Sequence, residues 1–195
     1  MMTSKQSILQ SIKTHKSATV PELPTLDIDA ITYEDMYAQY AQALKSVGGE
    51  AIILDNIEAL DTTVRTLYPH VTNVVCNIEN CSLTTNTGND ARTPHELASV
   101  ELAIVKGEFA VAENGAVWIK NPDNRHRALY FLAENIVIVV DKNNVVATMH
   151  DAYDRINFDK AGYGTFVSGP SKTADIEQSL VIGAHGPKSG FVFLV

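Results

Sequence analysis

The chain has 195 residues, 45% apolar and 19% charged, a balance that suits one globular domain with a sizeable core and excludes a disordered polymer. Its net charge of -8 argues against nucleic acid as a partner, because phosphates demand a basic face. Cys76 and Cys81 are its only cysteines, so two reduced thiols are expected, with a disulfide between them as the alternative.

Met1 to Lys16 carries Ile8, Leu9 and Ile12 as a short apolar stripe, which reads as a small amphipathic helix and not as a signal peptide. No run of about 18 apolar residues occurs, so no membrane association is expected and the cytoplasm is the expected location. Pro21 and Pro24 break Ser17 to Asp29 into an extended linker. Residues 1–30 are therefore expected to be an appendage, docked on the domain or on a neighbouring subunit of a homo-oligomer, with residues 31–195 as the domain.

From Thr32 the apolar residues Tyr33, Met36, Tyr40, Leu44 and Val47 recur at helical spacing, with Thr32 as the expected N-cap and Gly48 as the stop. Ala51 to Leu54 reads as a buried strand, Asn56 to Leu67 as a helix and Val71 to Ile78 as a Val-rich strand. This alternation predicts an α/β fold with a mainly parallel sheet flanked by helices. After about residue 100 the pattern changes to short strands: Leu102 to Val105, Phe109 to Ala112, Ala116 to Ile119 and Ile136 to Val140. Asn114-Gly115 and Asn143-Asn144 lie between apolar stretches and predict an added β-hairpin region. Met149 to Ile156 reads as a helix, and Phe166-Val167, Leu180 to Ile182 and Phe191 to Val195 as strands.

The segment Ser168-Gly169-Pro170-Ser171-Lys172-Thr173-Ala174-Asp175-Ile176-Glu177 places small residues, hydroxyls and a cation before an expected helix. Two readings stand: an anion site at the helix start, or Ser171 as N-cap with Asp175 and Glu177 complementing the dipole. His185, in Gly183-Ala184-His185-Gly186-Pro187, follows an apolar strand and is expected at the carboxyl end of the sheet, either lining a pocket or serving as a structural hydrogen-bonder. Glu113, beside Asn114-Gly115, either contacts substrate or flanks a solvated turn. Arg125-His126-Arg127 reads as a solvated loop or the mouth of an anion site. His95-Glu96 lacks a second histidine four residues on, and no Walker loop, nucleophile elbow or full dinucleotide fingerprint occurs, so no metal and no cofactor are expected.

The segments Ser168 to Glu177 and Gly183 to Pro187 together resemble the C-terminal signature of the LUD-domain family, in its lactate-utilisation C branch. Phe109 to Val117 resembles the family's middle motif, with Asn114 and Ala116 where that motif has two threonines, so the hydroxyl at Ala116 is lost. The resemblance spans about Tyr33 to Val195. It implies a fold like ribose-5-phosphate isomerase and the CoA transferases, and membership of a three-component system that oxidises L-lactate to pyruvate. By the same resemblance the other components of that system carry the iron–sulfur clusters, so this chain is expected to be a cluster-free accessory subunit. The competing expectation is a stand-alone enzyme or binding protein for a small carboxylate or phosphorylated metabolite. Glu113 and His185 are its candidate catalytic residues, and Asn114, Gly115, Ser168, Gly169, Ser171, Lys172, Thr173, Asp175, Gly183 and Gly186 its candidate ligand-binding residues.

Overall fold

The computed structural model describes residues 3–16, 22, 31–79, 81–86, 88–120, 126–157, 162–173 and 181–195. They fall in two units, Met1–Ala30 and Ile31–Val195. In the first, α1 (Ser4–His15) starts at a capping box between Thr3 and Gln6 and leaves Ile8, Leu9 and Ile12 exposed. Apart from Glu22, the expected linker Ser17 to Asp29 lies outside the described residues.

The second unit is built on a fully parallel five-stranded sheet. Its strands are β1 (Glu50–Ile53), β2 (Val74–Cys76), β3 (Leu102–Lys106), β6 (Asn135–Val140) and β11 (Ser189–Leu194), in the order β1-β11-β6-β3-β2. A four-stranded sheet holds β4 (Phe109–Val111), β5 (Ala116–Lys120), β7 (Val145–Val146) and β8 (Gly164–Val167), in the order β7-β4-β5-β8. A two-stranded arm pairs β9 (Lys172–Thr173) with β10 (Val181–Ile182).

Side-chain alternation along the strands assigns each face. Leu102, Ile104, Val137, Val139 and Phe193 face α3 (Ala59–Leu67) and pack on its Leu60 and Val64. Ala103, Val105, Ile136, Ile138, Val140, Val192 and Leu194 face the other way, onto Tyr40 and Leu44 of α2 (Met36–Ser46) and Leu129 and Tyr130 of α4 (Leu129–Leu132). The same cluster takes in Ala110, Val117 and Ile119, so the second sheet lies on that face of the first. Phe109, Val111, Ala116, Trp118 and Val146 point away, under Ala152 of α5 (Met149–Arg155). The result is helix, parallel sheet, helices with second sheet, then helix. This is the expected α/β class with helices flanking a mainly parallel sheet.

Several boundaries differ from expectation. Helix α2 begins at Asp35, whose carboxylate accepts from the Tyr37 and Ala38 N–H groups, and not at Thr32. It ends as expected, with Gly48 at φ 84 and its N–H on the Lys45 carbonyl. Val71 to Ile78 yields only the three residues of β2. The hairpin at Asn114-Gly115 forms, with Val111 opposite Ala116.

No hairpin forms at Asn143-Asn144. Strand β6 is flanked by β3 and β11 and has no free edge, so the turn hands the chain to the other sheet, where β7 pairs in parallel with β4. Asp141 holds that turn, its carboxylate accepting from Asn143 N–H and its carbonyl from Asn144 N–H. Ser171 does not cap a helix starting at Lys172, because Lys172 and Thr173 are extended and paired with Ile182 and Val181. Asp175 and Glu177 lie outside the described residues.

Candidate functional site

The Ser168–Thr173 segment crosses the amino ends of the parallel strands. Gly169 sits against the loop before β1, at φ 68, where a Cβ would lie 2.9 Å from the Val47 carbonyl and 3.3 Å from Gly49 N. Only glycine fits this conformation and this approach without strain. The next residues fasten the segment to the Gly183–Pro187 loop. Ser171 N–H donates to the Pro187 carbonyl at 2.9 Å, and Gly183 N–H donates to the Ser171 carbonyl at 2.9 Å. Gly186 lies against the Ser171 side chain.

The Gly183–Pro187 loop leads into β11, and Lys188 N–H donates to the carbonyl of Glu134, the residue before β6. His185 therefore stands at the amino edge of the parallel sheet, not at the carboxyl edge. The strand before it, β10, belongs to the small antiparallel arm, so the carboxyl-end rule for parallel strands did not apply to it. Its ring is exposed.

Lys172 and Glu113 are both engaged within the protein. The Lys172 ammonium donates to the carbonyls of Val47 at 2.7 Å, Pro170 at 3.1 Å and Ser168 at 3.4 Å. Val47 is the C-cap of α2, so Lys172 places a cation on that helix's negative end. Partial burial lowers the Lys172 pKa below the ordinary lysine value. Glu113 is exposed, and its carboxylate accepts from Met149 N–H, the first residue of α5, at 2.8 Å, while its own N–H donates to the Ala147 carbonyl. An anion at a helix start is the favourable arrangement.

The Glu113–Gly115 turn meets the same segment through Ser168, whose hydroxyl donates to the Asn114 carbonyl at 2.9 Å. Asn114 Oδ1 accepts from Ala116 N–H, and Gly115, at φ 69, lies so close to α2 that a Cβ would come within 2.7 Å of Leu44 N and Cα. Ala116 is buried beside Trp118 and Val111, an apolar place for a position where the related motif has threonine. The structure thus brings Asn114, Ser168, Ser171, Gly183 and Gly186 into one contiguous fastening.

Of the basic loop, His126 Nε2 lies 2.9 Å from the Ala91 carbonyl and Arg127 stacks 4.8 Å over the Tyr163 ring, while Arg125 lies outside the described residues.

A cavity of about 240 Å³ lies elsewhere, lined by Asn73, Asn86, Asp90, Glu96, Leu97 and Ser99 among others. Asn73 precedes β2 and Ser99 lies just before β3, so this cavity too opens at the amino edge. Asn73 Nδ2 donates to Ser99, and Glu96 accepts from Arg92 N–H at the start of a 3-10 turn, Pro94–Ser99. Sequence reasoning missed this cavity because isolated Asn and Ser residues carry no periodic signal. The one legible clue was Thr93-Pro94 with Glu96, a helix-start pattern.

A family model described as the LUD domain matches residues 82–195. That is narrower than the span from Tyr33 read in the sequence. Lactate utilization protein C of Bacillus pumilus is 32% identical over 99 residues, covering 48% of this chain and 41% of that protein. Lactate utilization protein C 1 of Bacillus mycoides is 37% identical over 95 residues, covering 46% and 41%. The match therefore spans less than half the length of these relatives. A crystal structure of a DUF162 family protein from Deinococcus radiodurans superposes with a TM-score of 0.62 at 15% identity, covering 82% of this chain and 96% of that one. At that identity it speaks to the fold alone. The match, from residue 82 through β11, covers more than half of the chain and takes in both Ser168–Thr173 and Gly183–Pro187, and the chain belongs to the LUD-domain family.

Proposed function

We propose that this chain serves lactate utilisation in the cytoplasm as a cluster-free accessory subunit, with the electron-carrying iron–sulfur clusters held by partner proteins. The observation that carries this reading is the internal use of two charges in the motif segments: Lys172 donates to three carbonyls and Glu113 accepts at the start of α5. Groups so engaged build an assembly surface more readily than a cleft for lactate, whose carboxylate needs free donors. A four-thiolate cluster cannot be built from the chain's two cysteines, and electrons need a redox centre.

Relatives named for lactate utilisation support the process, and the reading of the chain as a subunit is ours. The test is a thermal-shift titration of the isolated chain with lactate, pyruvate and a sugar phosphate, beside size-exclusion chromatography with the cluster proteins of a lactate-oxidising system. The expected result is an unchanged melting temperature and a co-eluting complex. A saturable rise with lactate, lost in His185→Ala, would replace this reading with a stand-alone ligand-binding protein, since a ligand selective for the folded state stabilises by mass action.

A further inference from the structure

The lactate-utilisation reading assigns nothing to α1, and the inference drawn from that helix does not depend on it. None of the 12 residues of α1 is buried, and Ile8 and Ile12 are each 58% exposed. A helix this short is marginal in water without tertiary packing, even with its capping box. Its side chains are sorted by face. At about 100° per residue, Ile8, Leu9 and Ile12 share an arc of roughly 140° with Lys5, Lys13 and the C-cap Lys16. The opposite face carries Ser4, Ser7, Gln10, Ser11 and Thr14, all uncharged. A helix lying in solvent or in a lipid headgroup layer sets its lysines opposite its aliphatics. Here the surface that covers α1 must be apolar and acidic at once.

The chain itself offers such a surface. Residues 1–16 hold three lysines and no acid, while the whole chain stands at -8, so residues 17–195 carry -11. Glu50 to Asp61 holds four acids and no basic residue. Within it Ile53 is 60% and Ile57 38% exposed, beside the exposed Asp55 and Glu58. The stretch includes β1, an edge strand of the parallel sheet, and proteins commonly cover such an edge with a helix. Because α1 and Ile53 are both exposed in the single chain, the cover for each comes from another copy. We propose that α1 docks on the Glu50–Asp61 stretch of a second copy, its aliphatics on Ile53 and Ile57 and its lysines against Asp55 and Glu58. Reciprocal exchange closes a twofold dimer and doubles the buried area, which one short helix does not supply for a stable interface. Surface charge pairs add little each, so the aliphatics hold the contact and the lysines select the face.

The test measures the solution mass of the full chain by light scattering after size exclusion, at about 0.05 and 0.5 M salt, over which charge pairs are increasingly screened. The expected species is a dimer whose dissociation constant rises with salt. Lys5→Glu with Lys13→Glu should raise that constant about tenfold at low salt, and so should Asp55→Lys with Glu58→Lys. Mixing these two variants should restore association, because both contacts of the mixed dimer then join opposite charges. Ile8→Asp with Ile12→Asp should leave a monomer. A monomeric wild type, a dimer unmoved by these variants, or a charge-swapped mixture no tighter than either variant alone would each overturn the proposal. So would a wild-type chain that stays monomeric and sediments with vesicles of anionic phospholipid. The charge-swapped mixture decides it even if the aspartates unfold α1.

Discussion

Two loop regions rich in small polar residues, Gly and Ser in one and Asn and Thr in the other, use them in opposite ways. Around Ser168–Pro187, glycines bring backbone against backbone, and the one lysine is spent on three carbonyls. Around Asn73–Val100, the side chains ring open space of about 240 Å³. Small polar residues at the amino edge of a parallel sheet can therefore be fasteners or a cavity lining, and composition alone does not distinguish them. What does is whether the neighbouring backbone comes close enough that a Cβ would collide.

The largest expected effect probes that closeness. Gly115→Ala adds a Cβ to a left-handed residue and drives it within 2.7 Å of the Leu44 backbone, which has no flexible end to give way. A loss on the order of 3 kcal/mol or more is expected in urea unfolding. A loss below about 1 kcal/mol would mean that turn and helix are not fastened together.

Next comes Lys172→Met, which keeps the length of the side chain and removes three donated hydrogen bonds. A cost of about 2 kcal/mol is expected, the scale of hydrogen bonds from a charged donor. A neutral result would place the ammonium in solvent.

A smaller effect of opposite sign is expected in the shared core. Tyr40 is 0% exposed, and its hydroxyl has no hydrogen-bond partner among the described residues. Tyr40→Phe should raise stability by about 1 kcal/mol. Burial pushes the Tyr40 pKa far above the ordinary tyrosine value of 10.0, so the folded state holds its proton where the unfolded chain releases it. Stability is therefore full below about pH 10 and falls as pH rises beyond it. The phenylalanine variant should flatten that alkaline fall, and an identical pH profile would contradict the assignment.

The gentlest probe is Glu101, whose carboxylate accepts from the Thr72 and Asn73 N–H groups and the Thr72 hydroxyl. The Thr72 N–H, Asn73 N–H and Thr72 hydroxyl bonds, in that order, lower its pKa below the ordinary glutamate value of 4.5. Its contribution is present above that value and lost as pH falls through the folded-state pKa. Glu101→Gln should reduce the acid dependence of the melting temperature, and an unchanged acid limb would count against it.

Much of the fold was legible because buried strands such as Ile136 to Val140 are long apolar runs that no solvated loop would carry. The Gly48 stop and the Asn114-Gly115 hairpin were also legible, since each rests on local backbone chemistry. The turn at Asn143-Asn144 was misread because a hairpin and a crossover between sheets begin with the same residues. What separates them is whether β6 has a free edge, which depends on β3 and β11 far away in the chain. The candidate site was legible as a cluster of segments, through Ser168, Ser171, Gly183 and Gly186. Its orientation was not. Placing His185 at the carboxyl edge assumed that the preceding strand belonged to the parallel sheet, whereas β10 pairs only with β9.

The central claim is that the family signature fastens distant parts of the chain through Lys172. Hydrogen-exchange mass spectrometry of Lys172→Met against the wild type tests it most directly. The Val47 carbonyl is 125 residues from Lys172 in sequence and 2.7 Å from its ammonium. Loss of the cation should deprotect the amides of Gly48 and Gly49, which donate to Lys45 and Leu44 at the end of α2, together with Ser171. Unchanged protection at Gly48 and Gly49, with any change confined to residues beside position 172, would contradict the claim.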